Sequence, residues 1–319
     1  SSAASDLYKR QGNLLSSLLQ DYYTLLASRL VTSLNHGAFF GLGAVVAASV
    51  VPKEKQASAV ATMFMGLTIA NIGGVPAATW IGQQIGWRMA FAGTAVLGLL
   101  AMAALWYALP KGERGSVPHV RKELAVIARP SVLLAMATTV LGAGAMFTLY
   151  TYVAPVLAEL TGASDSFVTL ALVLIGVGFT LGNSLGGRLA DWSLDGAAKI
   201  FLAVLTLIML SMPLVLGSHI GAAIALLVWG MFTFAVVPPL QMRVMTAAIE
   251  APGLASSINV GAFNLGNAVG AALGGAVISL NLGYAAVPMA GGVLAAAGLL
   301  LVWLGGRHKV AGKTAADMA

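Results

Sequence analysis

Long apolar runs separated by short polar loops set the pattern of this chain. From Asp21 onward, nine runs reach roughly the 20 residues that a helix needs to cross the hydrocarbon of a bilayer. They cover 23–50, 57–82, 88–109, 131–157, 166–188, 198–217, 220–245, 255–280 and 284–305. The pattern predicts an all-α membrane protein. One connection is long, Pro110–Pro130, and holds Lys111, Arg114, Arg121, Lys122 and Arg129. Val120, Leu124 and Ile127 fall on one helical face there, which predicts an interfacial amphipathic helix, with a plain solvated loop left open for the first half.

Composition agrees with the pattern. The chain is 59% hydrophobic and only 9% charged, with mean hydropathy +0.90, against roughly 25% charged residues in soluble domains. The net charge of +6 is spread over short loops, so it is not a nucleic-acid footprint. No cysteine is present, which excludes disulfides, thiolate metal sites and thiol catalysis. No metal or cofactor site is read from the sequence, and Ser1–Gln11 lacks the order of a signal peptide.

Charge also predicts orientation. Lys53, Lys55, the five linker residues, Arg188, Lys199, Arg243, Arg307, Lys309 and Lys313 gather on one side, while Arg88 stands alone on the other. By the positive-inside rule the linker and the C-terminus are expected in the cytoplasm.

The first span carries unusual cargo. Arg29, Ser33, His36 and Phe40 share one helical face, and Gly37, Gly41, Ala44 and Ala48 form a smooth stripe about a quarter turn away. Intramembrane charge is costly and is usually kept where it meets a partner or a wet cavity. Arg29 is open between charge coupling and an interfacial anchor that snorkels. His36, about 22 Å from Asp21 along a helix, is open between proton relay or substrate binding and a neutral imidazole bonded across helices.

An internal repeat runs at an offset of 197: Gly73 matches Gly270, Gly86 matches Gly283, and Trp87 matches the aromatic Tyr284. Equivalent halves place the start of the first about 66 residues before Ser1, room for about three helices. The expectation is therefore an N-terminally truncated chain: 1–20 a third-helix remnant with a non-native start, 21–109 part of an N-terminal bundle, 110–130 the linker, 131–305 a complete six-helix bundle and 306–319 a tail. Such a piece is expected to insert poorly and to be inactive alone.

These residues resemble the major facilitator superfamily, in its twelve-helix drug/proton antiporter branch and its arabinose-efflux-permease-like bacterial inner-membrane proteins. SRLVTSLNHGAFFGLG resembles the fourth-helix motif, with its arginine at Arg29. MGLTIANIGGVPAATWIGQQIGWR resembles the fifth-helix antiporter motif through Gly66, Gly73, Gly74, Pro76, Gly82, Trp87 and Arg88. GGRLAD resembles the second-half loop motif through Gly187 and Asp191, although Trp192 stands where a basic residue is usual. FAVVPPLQMRV is similar to the tenth helix of this subgroup.

The resemblance implies two six-helix bundles, with the first two helices and most of the third absent here. It implies a monomeric inner-membrane transporter, not an enzyme, that exchanges protons for a small molecule such as a sugar, nucleoside or drug. Arg29 would tune an acid of the first helix. Ser33, Phe40, Met146, Tyr150, Thr151, Trp229, Phe232, Thr233 and Gln241 would face the cavity; packing or lipid-facing roles stay open for those of the seventh and tenth helices. Ala59, Gly66, Ala70, Gly73 and Ala77, and Gly266, Gly270 and Gly274, would be smooth faces on which the halves rock, with Pro76 bending the fifth helix, so bulk at Gly73 would jam motion. Asp191 would touch a neighbouring helix end, or else be a solvated loop carboxylate.

Two readings compete: an intramembrane serine protease using Ser184, within G-x-S-x-G at 182–186, and a sensor or scaffold on a transporter fold. The first lacks the strand–turn–helix frame of a nucleophile elbow. Gly176-Val-Gly178 lacks the frame of a dinucleotide site.

Overall fold

The computed structural model describes residues 36–37, 39–108 and 120–316, and they contain helices and no strand. Eight helices are long and apolar enough to cross a membrane. Of the first expected span only the end is described, as the apolar helix α1, Phe39–Ser49; Arg29 and Ser33 lie outside the described residues.

After Pro52 and a 3₁₀ turn at Lys53–Lys55, α2 runs Gln56–Ile69 and passes through a π-helical stretch, Ala70–Gly74, into α3, Val75–Gln84. Pro76 stands in the first turn of α3. With no N–H to give, it cannot continue the α ladder, and the backbone widens just ahead of it. Gly86 then takes φ 117, and α4 follows as Trp87–Ala108. Gly283, its repeat mate, takes φ 85 in the corresponding loop. Both use a backbone region in which an L side chain is strained.

In the linker, α5 covers Val120–Ile127. Of the expected apolar face, Ile127 docks beside Val126 on a buried patch with Val132, Met136, Val244 and Ala251, while Leu124 stays exposed. That patch collects helix ends from three elements, so the register follows the docking site.

The remaining helices are α6 (Pro130–Tyr150), α7 (Val153–Thr161), α8 (Asp165–Trp192), α9 (Leu194–Ser211), α10 (His219–Ala235), α11 (Val237–Ala247), α12 (Pro252–Ser279) and α13 (Ala286–Ala316). Serines open three of them. Ser164 accepts from Phe167 N at 3.3 Å, Ser193 from Gly196 N at 3.1 Å and Ser218 from Gly221 N at 3.0 Å, each satisfying an orphan N–H. Gly162 closes α7 in the left-handed region. α10 and α11 form one span, His219–Ala247, interrupted where Pro238 and Pro239 withdraw two donors.

Inside this bundle α6 packs against α12 and α13, α8 against α10, and α9 against α13. Without a strong hydrophobic drive between helices in lipid, close backbone approach does the work. Gly178, Gly182 and Gly186 on α8 lie against the carbonyls of Leu227, Met231 and Ala235 on α10, where a methyl group would clash. The motif flagged around Ser184 is thus a packing seam, and the Ser184 hydroxyl bonds to Thr180 O at 3.2 Å within its own helix. On the other side, Gly266, Gly270 and Gly274 lie against the backbone of Val140, Gly144 and Thr148 on α6.

This corrects the α12 part of the expected rocking surface. The α12 stripe is fastened to a helix of its own bundle. On α2–α3, a Cβ at Gly66 or Gly73 would meet nothing within 4 Å among the described residues. The face of α2 that is buried, Ala57, Val60, Ala61, Phe64 and Thr68, turns toward α8 instead.

Candidate functional site

A cavity of about 290 Å³ lies between α1–α2 and the C-terminal bundle, near the lower end of the roughly 300–1,000 Å³ usual for small-molecule sites. Rings dominate its wall. Phe40 stacks on Phe64, centroids 5.6 Å apart and nearly parallel, and His36 tilts against Phe40 at 4.7 Å. Opposite them, Phe179 contacts Tyr150 at 5.8 Å and Phe234 at 4.4 Å. Phe147, Phe263 and Met146 add apolar surface.

The polar groups of the wall are few: His36, the Tyr150 hydroxyl, Thr233, Asn264 and Asn267. Thr233 is almost wholly buried and its hydroxyl has no hydrogen-bond partner among the described residues. Asn264 gives one N–H to Val260 O at 3.1 Å, which leaves its carbonyl oxygen to accept. Among the described residues no carboxylate lines this wall. It is suited to a largely uncharged molecule with a flat apolar part and a few hydroxyl or amide groups.

Of the residues singled out in the sequence, His36, Phe40, Met146, Tyr150 and Thr233 line the cavity; Thr151, Trp229, Phe232 and Gln241 do not. Thr151 is exposed and its hydroxyl bonds to Phe147 O at 2.8 Å. Trp229 is fully buried behind Phe179, 6.4 Å between centroids. Phe232 turns away toward Phe201 on α9. Gln241 is fully buried, donates to Ser256 Oγ and accepts from Asn259 Nδ2 at 2.7 Å, tying α11 to α12. Helical phase explains the split: α10 and α11 present Thr233, Phe234, Val236, Val237 and Leu240, while Trp229, Phe232 and Gln241 face neighbouring helices. The sequence reading missed Phe64, Phe179, Phe263, Asn264 and Asn267. The polar Asn264 and Asn267, at i, i+3 in the apolar middle of α12, are the signal that could have found them.

On the side of the basic loops the two parts meet without a gap. Asp191, near the end of α8, accepts from Ala57 N at 2.8 Å and Ser58 N at 3.2 Å through Oδ1, and from Ser58 N at 3.2 Å through Oδ2. Lys55, the N-cap residue of α2, gives no side-chain bond, so the cap comes from across the interface. A carboxylate at a helix N-terminus contributes about 0.3–1 kcal/mol, up to about 2 when partly buried. Next to it, a Cβ on Gly187 would sit 2.6 Å from Ala61 Cβ and 3.0 Å from Ser58 Cα. Asn183 donates to Ala61 O, and Gly41 on α1 lies against the backbone of Ser257 on α12. Trp192, the departure from the loop motif, points outward and is exposed.

The other motif residues are at the opposite end. The Arg88 guanidinium lies 4.5 Å over the Trp87 ring, a cation–π contact, and Gly82 faces the Trp87 backbone at 3.9 Å. Gly74 meets only Ala70 within 4 Å. Near the basic side, Arg243 pairs with Asp195 at 3.3 Å, and the exposed Arg129 and Glu250 pair at 2.7 Å. Arg129 holds the Glu250 carboxyl below its ordinary range, mainly through their hydrogen bond.

Comparison with known proteins agrees with this architecture. The chain is 65% identical to the inner membrane transport protein YdhP of Escherichia coli over 298 residues, 93% of this chain and 77% of that protein. It is 32% identical to the putative transporter AraJ of the same organism, over 93% of this chain and 76% of that one. In fold it is similar to FucP of E. coli, a major facilitator transporter solved in an outward conformation, with TM-score 0.72 at 15% identity over 95% of this chain and 81% of FucP. The family model described as Major Facilitator Superfamily matches residues 12–259, and the chain belongs to that superfamily, as a multi-pass protein of the inner-membrane transport type.

Proposed function

We propose that the full-length protein is a proton-coupled exporter that carries an uncharged, partly aromatic small molecule across the inner membrane by alternating access, as a monomer with a cytoplasmic C-terminus. The observation that carries this is the pairing of a ring-lined cavity with a closed contact on the basic-loop side. The charge rule makes that side cytoplasmic, and the closed state described here is then the one that faces outward.

In this reading Asp191 and Gly187 hold the cytoplasmic end shut through the α2–α8 contact, and its release opens the cavity to the cell interior. Rings grip the substrate by stacking. Thr233 and Asn264 fix its polar end. His36, an imidazole standing in the wall, would be the proton-responsive group. Arg29, seven residues earlier in the sequence, would tune an acid of the first helix.

The test is reconstitution of the full-length protein in proteoliposomes with a preset proton gradient. Addition of a transported sugar, nucleoside or neutral aromatic drug should dissipate the gradient, and His36→Gln should remove most of the proton movement. Substrate flux without proton movement would refute the coupling, and neither flux nor proton movement for all three classes would refute the exporter reading.

A further inference from the structure

A second hollow lies on the bilayer-facing surface, far from the central cavity in sequence and lining. It is a groove of about 590 Å³ between α9 and α13, walled by Lys199, Ile200, Ala203, Ala296, Leu299, Leu300 and Trp303. The two helices are antiparallel here. Lys199 lies near the start of α9 and Trp303 late in the span 286–305, so both stand toward the side of the basic loops. Ala203 is about 6 Å deeper along α9, and Ala296 about 10 Å deeper along α13. Facing alanines leave a slot, while Ile200 and Leu300, 47% and 52% exposed, form its rims.

Charge names the occupant. Among the described residues, Lys199 is the only charged one that lines the groove. Asp195, one turn before it and the nearest carboxylate along α9, is engaged by Arg243 at 3.3 Å, and Lys199 has no ion pair among the described residues. An ammonium at the mouth of an apolar slot, beside an indole at headgroup depth, is complementary to a phosphate ester carrying an acyl chain. We propose that this groove binds one anionic glycerophospholipid of the leaflet on the basic-loop side. Its phosphate sits on Lys199, its glycerol region on Trp303, and one acyl chain in the slot past Ala203 and Ala296.

The test uses the full-length protein in nanodiscs of mixed phosphatidylethanolamine and phosphatidylglycerol, with co-released lipid counted by native mass spectrometry. The unmodified protein should retain phosphatidylglycerol in preference, and Lys199→Gln should lower that preference about fivefold, the effect of one lysine at an anionic surface. Lys199→Arg should keep it. Ala203→Leu, which fills the slot without changing charge, should reduce retention of both lipids. Equal retention by the unmodified protein and Lys199→Gln overturns the proposal. A second protein copy lost on Ala203→Leu, in place of lipid, overturns it too. Lys199 is not in the core, so the glutamine variant is decisive even where the leucine variant fails to fold.

Discussion

α2 and α12 stand in equivalent places of the 197-residue repeat, and both carry stripes of small residues, yet the two stripes are used differently. On α12, Gly266, Gly270 and Gly274 press against the α6 backbone inside one bundle. On α2, the stripe through Gly66 and Gly73 meets none of the described residues, and the opposite face of the helix meets α8. α12 runs unbroken from Pro252 to Ser279, whereas α2 passes through a π turn before Pro76. In the proposed cycle the difference would separate a fixed joint from a movable one. The fixed joint is backbone on backbone for several turns. The α2–α8 joint is instead held by a carboxylate and an amide, Asp191 and Asn183, and both can exchange their partners for water.

The largest effect should come from breaking the fixed joint. Gly270→Leu would drive a side chain into the Gly144–Thr148 backbone of α6. Overpacking costs typically about 1–3 kcal/mol and more where backbone is struck, so little folded protein should survive membrane extraction and size-exclusion chromatography. Recovery at the unmodified level would show the joint to be loose.

Gly187→Leu tests the movable joint. It should leave the bundle folded, with unchanged thermal melting, while transport falls more than tenfold because α2 can no longer close on α8. Melting that collapses together with transport would make Gly187 part of the fold instead. Asp191→Asn is milder. It keeps the shape but weakens the cap on α2, and about 1 kcal/mol corresponds to about a fivefold shift toward the open state. Cysteine accessibility at Ser58 should rise accordingly; no change would deny the carboxylate its role.

The smallest effect concerns the ion pair Arg129–Glu250, which fastens the start of α6 to the α11–α12 loop. Glu250 has a depressed folded pKa. Its contribution is therefore present above the ordinary carboxylate range and lost as pH falls through the folded value. Glu250→Gln should melt slightly lower near neutral pH, and the gap should close below about pH 4. A gap that persists in acid would assign the difference to packing.

The sequence made much of the fold legible because the bilayer demands long apolar helices and the loops carry their charge on one side. The turn at Gly86 and Gly283 was readable from the repeat alone. The candidate site was less so. His36 and Phe40 share a face by helical phase, and Met146, Tyr150 and Thr233 came with the family resemblance, but Trp229 and Gln241 look the same in sequence and are buried behind the wall. Phe64 and Phe179 escaped notice because an aromatic in a membrane helix carries no mark of the cavity it faces. The seam at 178, 182 and 186 was visible as spacing, yet only the facing carbonyls of α10 give that spacing its meaning.

The claim that the α2–α8 contact is the joint that opens can be tested by distance. The chain has no cysteine, so spin labels at Glu54→Cys and Trp192→Cys, both exposed positions flanking the Asp191 cap, would report it alone by pulsed electron resonance. The account predicts two distances in the full-length protein, the shorter dominant at rest, with Asp191→Asn moving population to the longer. A single short distance in both proteins, unchanged during transport, would contradict it.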